Sequence, residues 1–222
     1  YDLFWKDQHT QIEVDGYYHF TKPESIEDYQ FEVQKDQSKA TENGEMGGYE
    51  ASDFLWGKVS DVAPTTSVIR LPMAHRMSNA RVTLIQGSGF AEGEWANLEK
   101  IVLTASVARK ASINLSTGEI KTAGAVENTM TIPSRTNDEG RTIVVPQTVA
   151  AGTTLFSITI GGVPYKFTKN EAFTYVSGKM MNFGIKVDKQ TGSGAYKLTL
   201  VSESITPWEN DLVSHDATAK EY

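Results

Sequence analysis

The reactive inventory of this 222-residue chain is sparse: four histidines, no cysteine, and scattered carboxylates. The histidines are His9, His19, His75 and His215. None stands in an HxH or HExxH pair, so an imidazole metal site would have to be assembled from distant positions. The lack of cysteine removes thiolate zinc sites, disulfides and thiol nucleophiles. Near the C-terminus, "ENDLVSHD" offers Glu209, Asp211 and Asp216 as oxygen ligands. Their spacing is not that of a calcium loop, and a solvated acidic tail is the simpler reading. No G-x-S-x-G elbow or phosphate-cradling loop occurs, and "GSG" at Gly87 and again at Gly192 reads as turn chemistry. A Ser-His-Asp triad drawn from distant positions stays open at this level. No catalytic residue, metal or cofactor is assigned.

The stretch "LPMAHRMSNARVTLIQGSG", Leu71 to Gly89, raises the sharpest question. Ile69, Leu71, Met73, His75 and Met77 share one parity, with Arg70 and Arg76 on the other. From Ala80 the phase changes: Ala80, Val82 and Leu84 are apolar and alternate with Arg81 and Thr83. A one-residue slip flips every side chain to the opposite face. A bulge or tight corner at Ser78-Asn79 is therefore expected. His75, between two methionines, reads as a scaffold histidine bonded to backbone or to Ser78. The rival reading is a general base or metal ligand, and no partner spacing supports it. Trp56, Trp95 and Trp208 are candidates for a ligand-binding aromatic face. Large aromatics in β-sandwiches more often fill the core, and that reading is preferred.

The elements that must position these residues are strands. Hydrophobic residues make up 39% and charged residues 22%, a globular composition. Ile101, Leu103, Ala105 and Val107 form one expected strand face. Ala111, Ile113 and Leu115 form another, ending in the turn "STGE". Gly161-Gly162 joins two strand-like runs and predicts a hairpin. Met181, Phe183, Ile185 and Val187 make the next face, followed by Tyr196, Leu198 and Leu200. "GFAEGEWANLEK" predicts a helical turn or a linker. The pattern is all-β, an antiparallel sandwich. The net charge of −7 argues against a nucleic-acid partner. No apolar run approaches the length of a membrane helix.

In order along the chain, several stretches resemble the fimbrillin family of Bacteroidales, the subunits and accessory proteins of type V pili. They are "IEVDGYYHF", "FEVQKDQS", "ASDFLWGK", "MAHRMSNARVTL", "INLSTGEI", "VVPQTV", "SGKMMNFGIKV" and "ITPWE". The first departs from the family's Tyr-Tyr-Pro corner, with His19 and Phe20 where the proline belongs. The resemblance implies two tandem transthyretin-like sandwiches, here 1–93 and 94–222, the first lacking strands upstream of Tyr1. It implies that the corner of His75 and Ser78 is structural. It also implies a non-enzymatic cell-surface protein of a Gram-negative outer membrane or fimbrium, held by a lipid anchor upstream of this chain. Partners would be other fimbrillin-type subunits, joined by donor-strand addition. The tail after Trp208 alternates poorly, although Leu212 and Val213 are candidates for a tail strand. An accessory, tip or anchor subunit is therefore favoured over a main shaft subunit. The alternative is a non-polymerising surface module that binds a host glycan or protein.

Overall fold

The computed structural model describes residues 5–18, 21–65, 67–133 and 138–208. The period-two stretches become strands β1 (Ile12–Tyr18), β2 (Tyr29–Glu32), β3 (Leu55–Val62), β4 (Ala74–His75), β5 (Ser78–Gln86), β6 (Lys100–Asn114), β7 (Glu119–Met130) and β8 (Ile132–Pro133). They continue with β9 (Glu139–Val144), β10 (Gln147–Val149), β11 (Thr154–Ile160), β12 (Val163–Thr168), β13 (Phe173–Tyr175), β14 (Lys179–Lys189) and β15 (Tyr196–Pro207). One helical turn, α1 (Glu94–Asn97), lies inside "GFAEGEWANLEK". Gly161 and Gly162 both have positive φ, 56° and 80°, as a two-residue hairpin between β11 and β12 requires.

The chain is nearly all β. One sheet runs β1-β3-β4. A second runs β12-β11-β6-β2, with β7 on the other edge of β6. A third runs β15-β14-β5-β9-β8, and β10 pairs with β13. Pairing is antiparallel with one exception: β14 runs parallel to β5. β5 is thereby enclosed between β14 and β9.

Two cores fill the molecule. The larger gathers Ala80, Val82, Leu84, Trp95, Phe156, Ile158, Met181, Phe183 and Ile185. The smaller gathers Tyr29, Phe31, Phe54, Trp56, Met77, Ala111, Ile113 and Ile143. β6 serves both, with Val102 and Val107 in the first and Ala111 and Ile113 in the second. Its early phase differs from the expected one. Val102 and Thr104 are buried while Ile101 and Leu103 are half-buried. The cause is a bulge: the β6–β7 register shifts between Thr104 and Val107, and Ser106 takes a φ of 58°. The extra residue reverses the face that the strand presents.

Two glutamines complete strand edges. On the edge of β6 that β11 and β2 share, no described strand pairs with Ala108. The Gln147 amide takes that place: Ala108 N donates to Oε1 at 2.7 Å, and Nε2 donates to Ala108 O at 2.9 Å. Gln37, fully buried, does the same on β9. Ile143 N donates to its Oε1 at 2.7 Å, and its Nε2 donates to Ile143 O at 2.8 Å. A side-chain amide carries the donor and acceptor of a peptide group, so each glutamine acts as one residue of a missing strand.

Candidate functional site

The region of interest is the corner where the chain leaves β4 for β5. It lies at Arg76-Met77, not at Ser78-Asn79, because the chain passes there from the β1-β3-β4 sheet into the β5 sheet. Ser78, Asn79 and Ala80 are all buried, since β5 has neighbours on both edges. The corner backbone is tied at each step. Arg76 N donates to Phe54 O at 2.8 Å, Gly178 N donates to Met77 O at 2.9 Å, and Ser177 Oγ donates to Arg76 O at 2.7 Å.

His75 reaches past its own strand. Its Nδ1 lies 2.9 Å from Asp53 Oδ1, where the sequence pointed to backbone or Ser78. A carboxylate can only accept, so Nδ1 carries the proton. The other large contact is Trp208, whose ring stacks on the imidazole at 3.9 Å with only 3° between the planes. Trp208 N also donates to Gly178 O at 3.1 Å. The end of β15 is thus fixed to β4 through one histidine. Ser78 is turned elsewhere, with Oγ 3.5 Å from Lys179 O.

A His-Asp pair is two members of a hydrolytic triad, which also needs a hydroxyl on the far imidazole nitrogen. Among the described residues, the two serine hydroxyls of the corner are bonded to carbonyls: Ser177 to Arg76 O, and Ser78 to Lys179 O. Among the described residues no three His, Asp or Glu side chains are grouped to hold a metal ion. The pair acts here as a strut.

The three tryptophans do not meet in one platform. Trp56 and Trp95 are each 7% exposed and sit in different cores. Trp56 Nε1 donates to Leu115 O at 2.6 Å, and the Arg76 guanidinium lies 4.4 Å above its ring. Trp95 Nε1 donates to Asp138 Oδ2 at 3.1 Å, with Lys100 Nζ 4.0 Å from the ring centre. Trp208 is half-buried against His75. Leu212 and Val213 lie outside the described residues, as do His19 and His215.

The electrostatics around the corner follow burial. The Tyr49 hydroxyl is pushed up to about 12 by burial, although it accepts a hydrogen bond from Asn79 Nδ2. Burial works against the charge of Glu139, but Arg81 and Arg141 outweigh it and hold that carboxyl below the usual range. Arg76 is lowered by burial alone. Sequence reading missed Asp53, Arg76 and Gly178 as corner residues. Their partners lie 20 or more residues away along the chain and leave no mark on local spacing.

Comparison with known proteins fits this architecture. A family model described as fimbrillin-like matches residues 1–208. A crystal structure of a candidate cell adhesion protein from Bacteroides uniformis superposes with a TM-score of 0.64 at 15% identity, covering 90% of this chain and 74% of that one. A second, from Bacteroides ovatus, gives 0.63 at 14% identity, covering 92% and 70%. The tip fimbrial protein Mfa3 from Porphyromonas gingivalis, with a C-terminal truncation, gives 0.51 at 12% identity, covering 82% and 71%. At these identities the three structures share the fold. No curated protein matches the chain.

Proposed function

The chain belongs to the fimbrillin-like family, and from that premise we propose that it is an accessory, tip or anchor subunit of a surface fimbrium. The observation that carries this reading is the family match across residues 1–208, which takes in both cores and the His75 corner. Its partners are other fimbrial subunits, joined by donor-strand addition. A sandwich that lacks one strand leaves unpaired backbone groups and apolar surface, and an added strand satisfies both. The location that goes with this role is the cell surface or the fimbrium. The tail that follows Trp208, "ENDLVSHDATAKEY", is polar and poorly alternating, which favours an end position over a shaft position. The described tip fimbrial relative lends the same direction. Burial of Trp56 and Trp95 weighs against a glycan platform built on them.

The test is to trim the mature full-length protein with an arginine-specific protease. SDS-resistant ladders and fibres are then sought by gel electrophoresis and electron microscopy. A terminal or anchoring subunit is expected to add to other subunits without forming ladders by itself. Long ladders of this protein alone would make it a shaft subunit.

A further inference from the structure

We propose that Arg76 is a preformed receptor for a carboxylate, the docking point of an Asp or Glu side chain on a partner protein. This stands apart from the assembly reading and rests on the surroundings of one guanidinium.

Arg76 is held in place before any ligand arrives. Its Cζ lies 4.4 Å from the centre of the Trp56 ring. That ring is itself fixed by the bond from Nε1 to Leu115 O at 2.6 Å. The turn after β6 closes in beside them. A Cβ on Gly118 would come within 2.6 Å of Trp56 Cε3 and 2.7 Å of Arg76 Nη2. Both main-chain polar groups of Arg76 are bonded, N to Phe54 O and O to Ser177 Oγ. The side chain has therefore lost much of its freedom already, which lowers the cost of binding.

Among the described residues it faces no anion. The other half-buried arginines of the described residues all face carboxylates: Arg81 and Arg141 face Glu139, and Arg109 faces Glu32 and Glu127. Lys100, Lys169 and Lys189 are paired in the same way, with Asp138, Glu203 and Glu94. Arg76 has no ion pair among the described residues, and its Nε is sealed from solvent without an acceptor. A partly buried charge without a partner is costly. Here the ring face of Trp56 offsets only part of that cost. Lys179, which opens β14 two residues after Ser177, is a second half-buried cation with no ion pair among the described residues.

The terminal nitrogens of a guanidinium match the two oxygens of a carboxylate, and such pairs are strong and directional. Arginine and tryptophan are both enriched among the residues that dominate binding at protein interfaces. The molecule carries a net charge of −7, so its long-range field does not draw in polyanions. Recognition at Arg76 is local. It suits a single acidic side chain presented by a partner protein rather than a nucleic acid or a polyacidic surface.

The experiment follows the Nε–Hε NMR signal of Arg76 in the whole protein. The probes are a capped Gly-Asp-Gly peptide, its Gly-Asn-Gly counterpart and sodium glucuronate. The aspartate peptide is expected to give a saturable shift that the asparagine peptide does not. Binding of the aspartate peptide to Arg76→Lys, followed by Trp56 fluorescence, is expected to weaken about tenfold, because lysine keeps the charge and loses the fork. An unchanged unfolding temperature for that variant confirms that the fold is intact. Equal shifts from the two peptides, no saturable shift, or unweakened binding by Arg76→Lys would each overturn the proposal. Tighter binding of glucuronate than of the aspartate peptide would overturn the protein partner in favour of an acidic sugar.

Discussion

At His75 two interactions act through one imidazole: the bond to Asp53 at 2.9 Å and the stacked Trp208 ring at 3.9 Å. A hydrogen bond to a charged group contributes about 1.5–3 kcal/mol, and an aromatic pair about 0.5–1.5 kcal/mol. His75→Ala is therefore expected to lower stability by about 2–4.5 kcal/mol, read by urea unfolding. His75→Phe keeps a ring for Trp208 and loses the bond, and should fall between the two. A loss within about 0.5 kcal/mol, the usual range for a neutral surface change, would sink the strut assignment. Gly118 is a second test at this scale. Its φ is 69°, and an added Cβ would strike the Trp56 ring. Gly118→Ala should cost about 1–3 kcal/mol and alter the Trp56 fluorescence. Little of this was legible in the sequence. Parity placed His75 among methionines, but Asp53 precedes β3 and Trp208 follows β15, and no local spacing points to them.

At the scale of elements, alternation was readable where a strand stays regular. Met181, Phe183, Ile185 and Val187 are all buried in β14, as their parity predicts. It misled at the start of β6, where the bulge at Ser106 reverses the phase. A serine gives no sign that it will take a positive φ. The glutamine plugs were equally hidden, because Gln37 and its partner Ile143 are 106 residues apart. Gln37→Ala would leave a buried N–H and a buried C=O of Ile143 without those partners. At about 1–3 kcal/mol for a buried group left unsatisfied, the expected loss is at least about 2 kcal/mol, with faster amide hydrogen exchange at Ile143. Normal exchange at that amide would show that the glutamine does not close the edge. β9 also supports a pH prediction. Glu139 titrates below the ordinary glutamate value of 4.5 because Arg81 and Arg141 favour its charged form. A carboxyl depressed in the folded state stabilises above its unfolded value and loses that contribution as pH falls through the folded one. Stability should therefore decline below about pH 4.5, and Glu139→Gln should flatten the slope in acid unfolding curves. An unchanged slope would mean that this cluster does not couple to folding.

At the scale of the whole molecule, the two cores do not divide the chain into an earlier and a later half. β5 precedes residue 93, yet it lies between β14 and β9 and gives Ala80, Val82 and Leu84 to the larger core. β9 gives Val144 to the larger core and Ile143 and Val145 to the smaller. β6 runs through both. Removing 1–93 would therefore open the third sheet at its centre. It would strip β14 and β9 each of the ladder partner on one edge and uncover Phe183 and Ile185. Unpaired strand edges and exposed apolar surface of that kind do not persist in a folded monomer. A fragment of residues 94–222 is expected to be unfolded or aggregated when expressed alone, as read by near-ultraviolet circular dichroism. The intact chain is expected to melt in one transition, reported alike by Trp56 in the smaller core and Trp95 in the larger. Phe54→Ala and Phe183→Ala, one in each core, should both lower that single transition, each by about 3–5 kcal/mol. A folded 94–222 fragment, or two transitions moved separately by the two substitutions, would instead divide the protein into independent sandwiches with a boundary near residue 93. Either outcome constrains assembly. In one cooperative body, a strand added at any edge is felt by both cores, whereas in two it would steady only the sandwich that receives it.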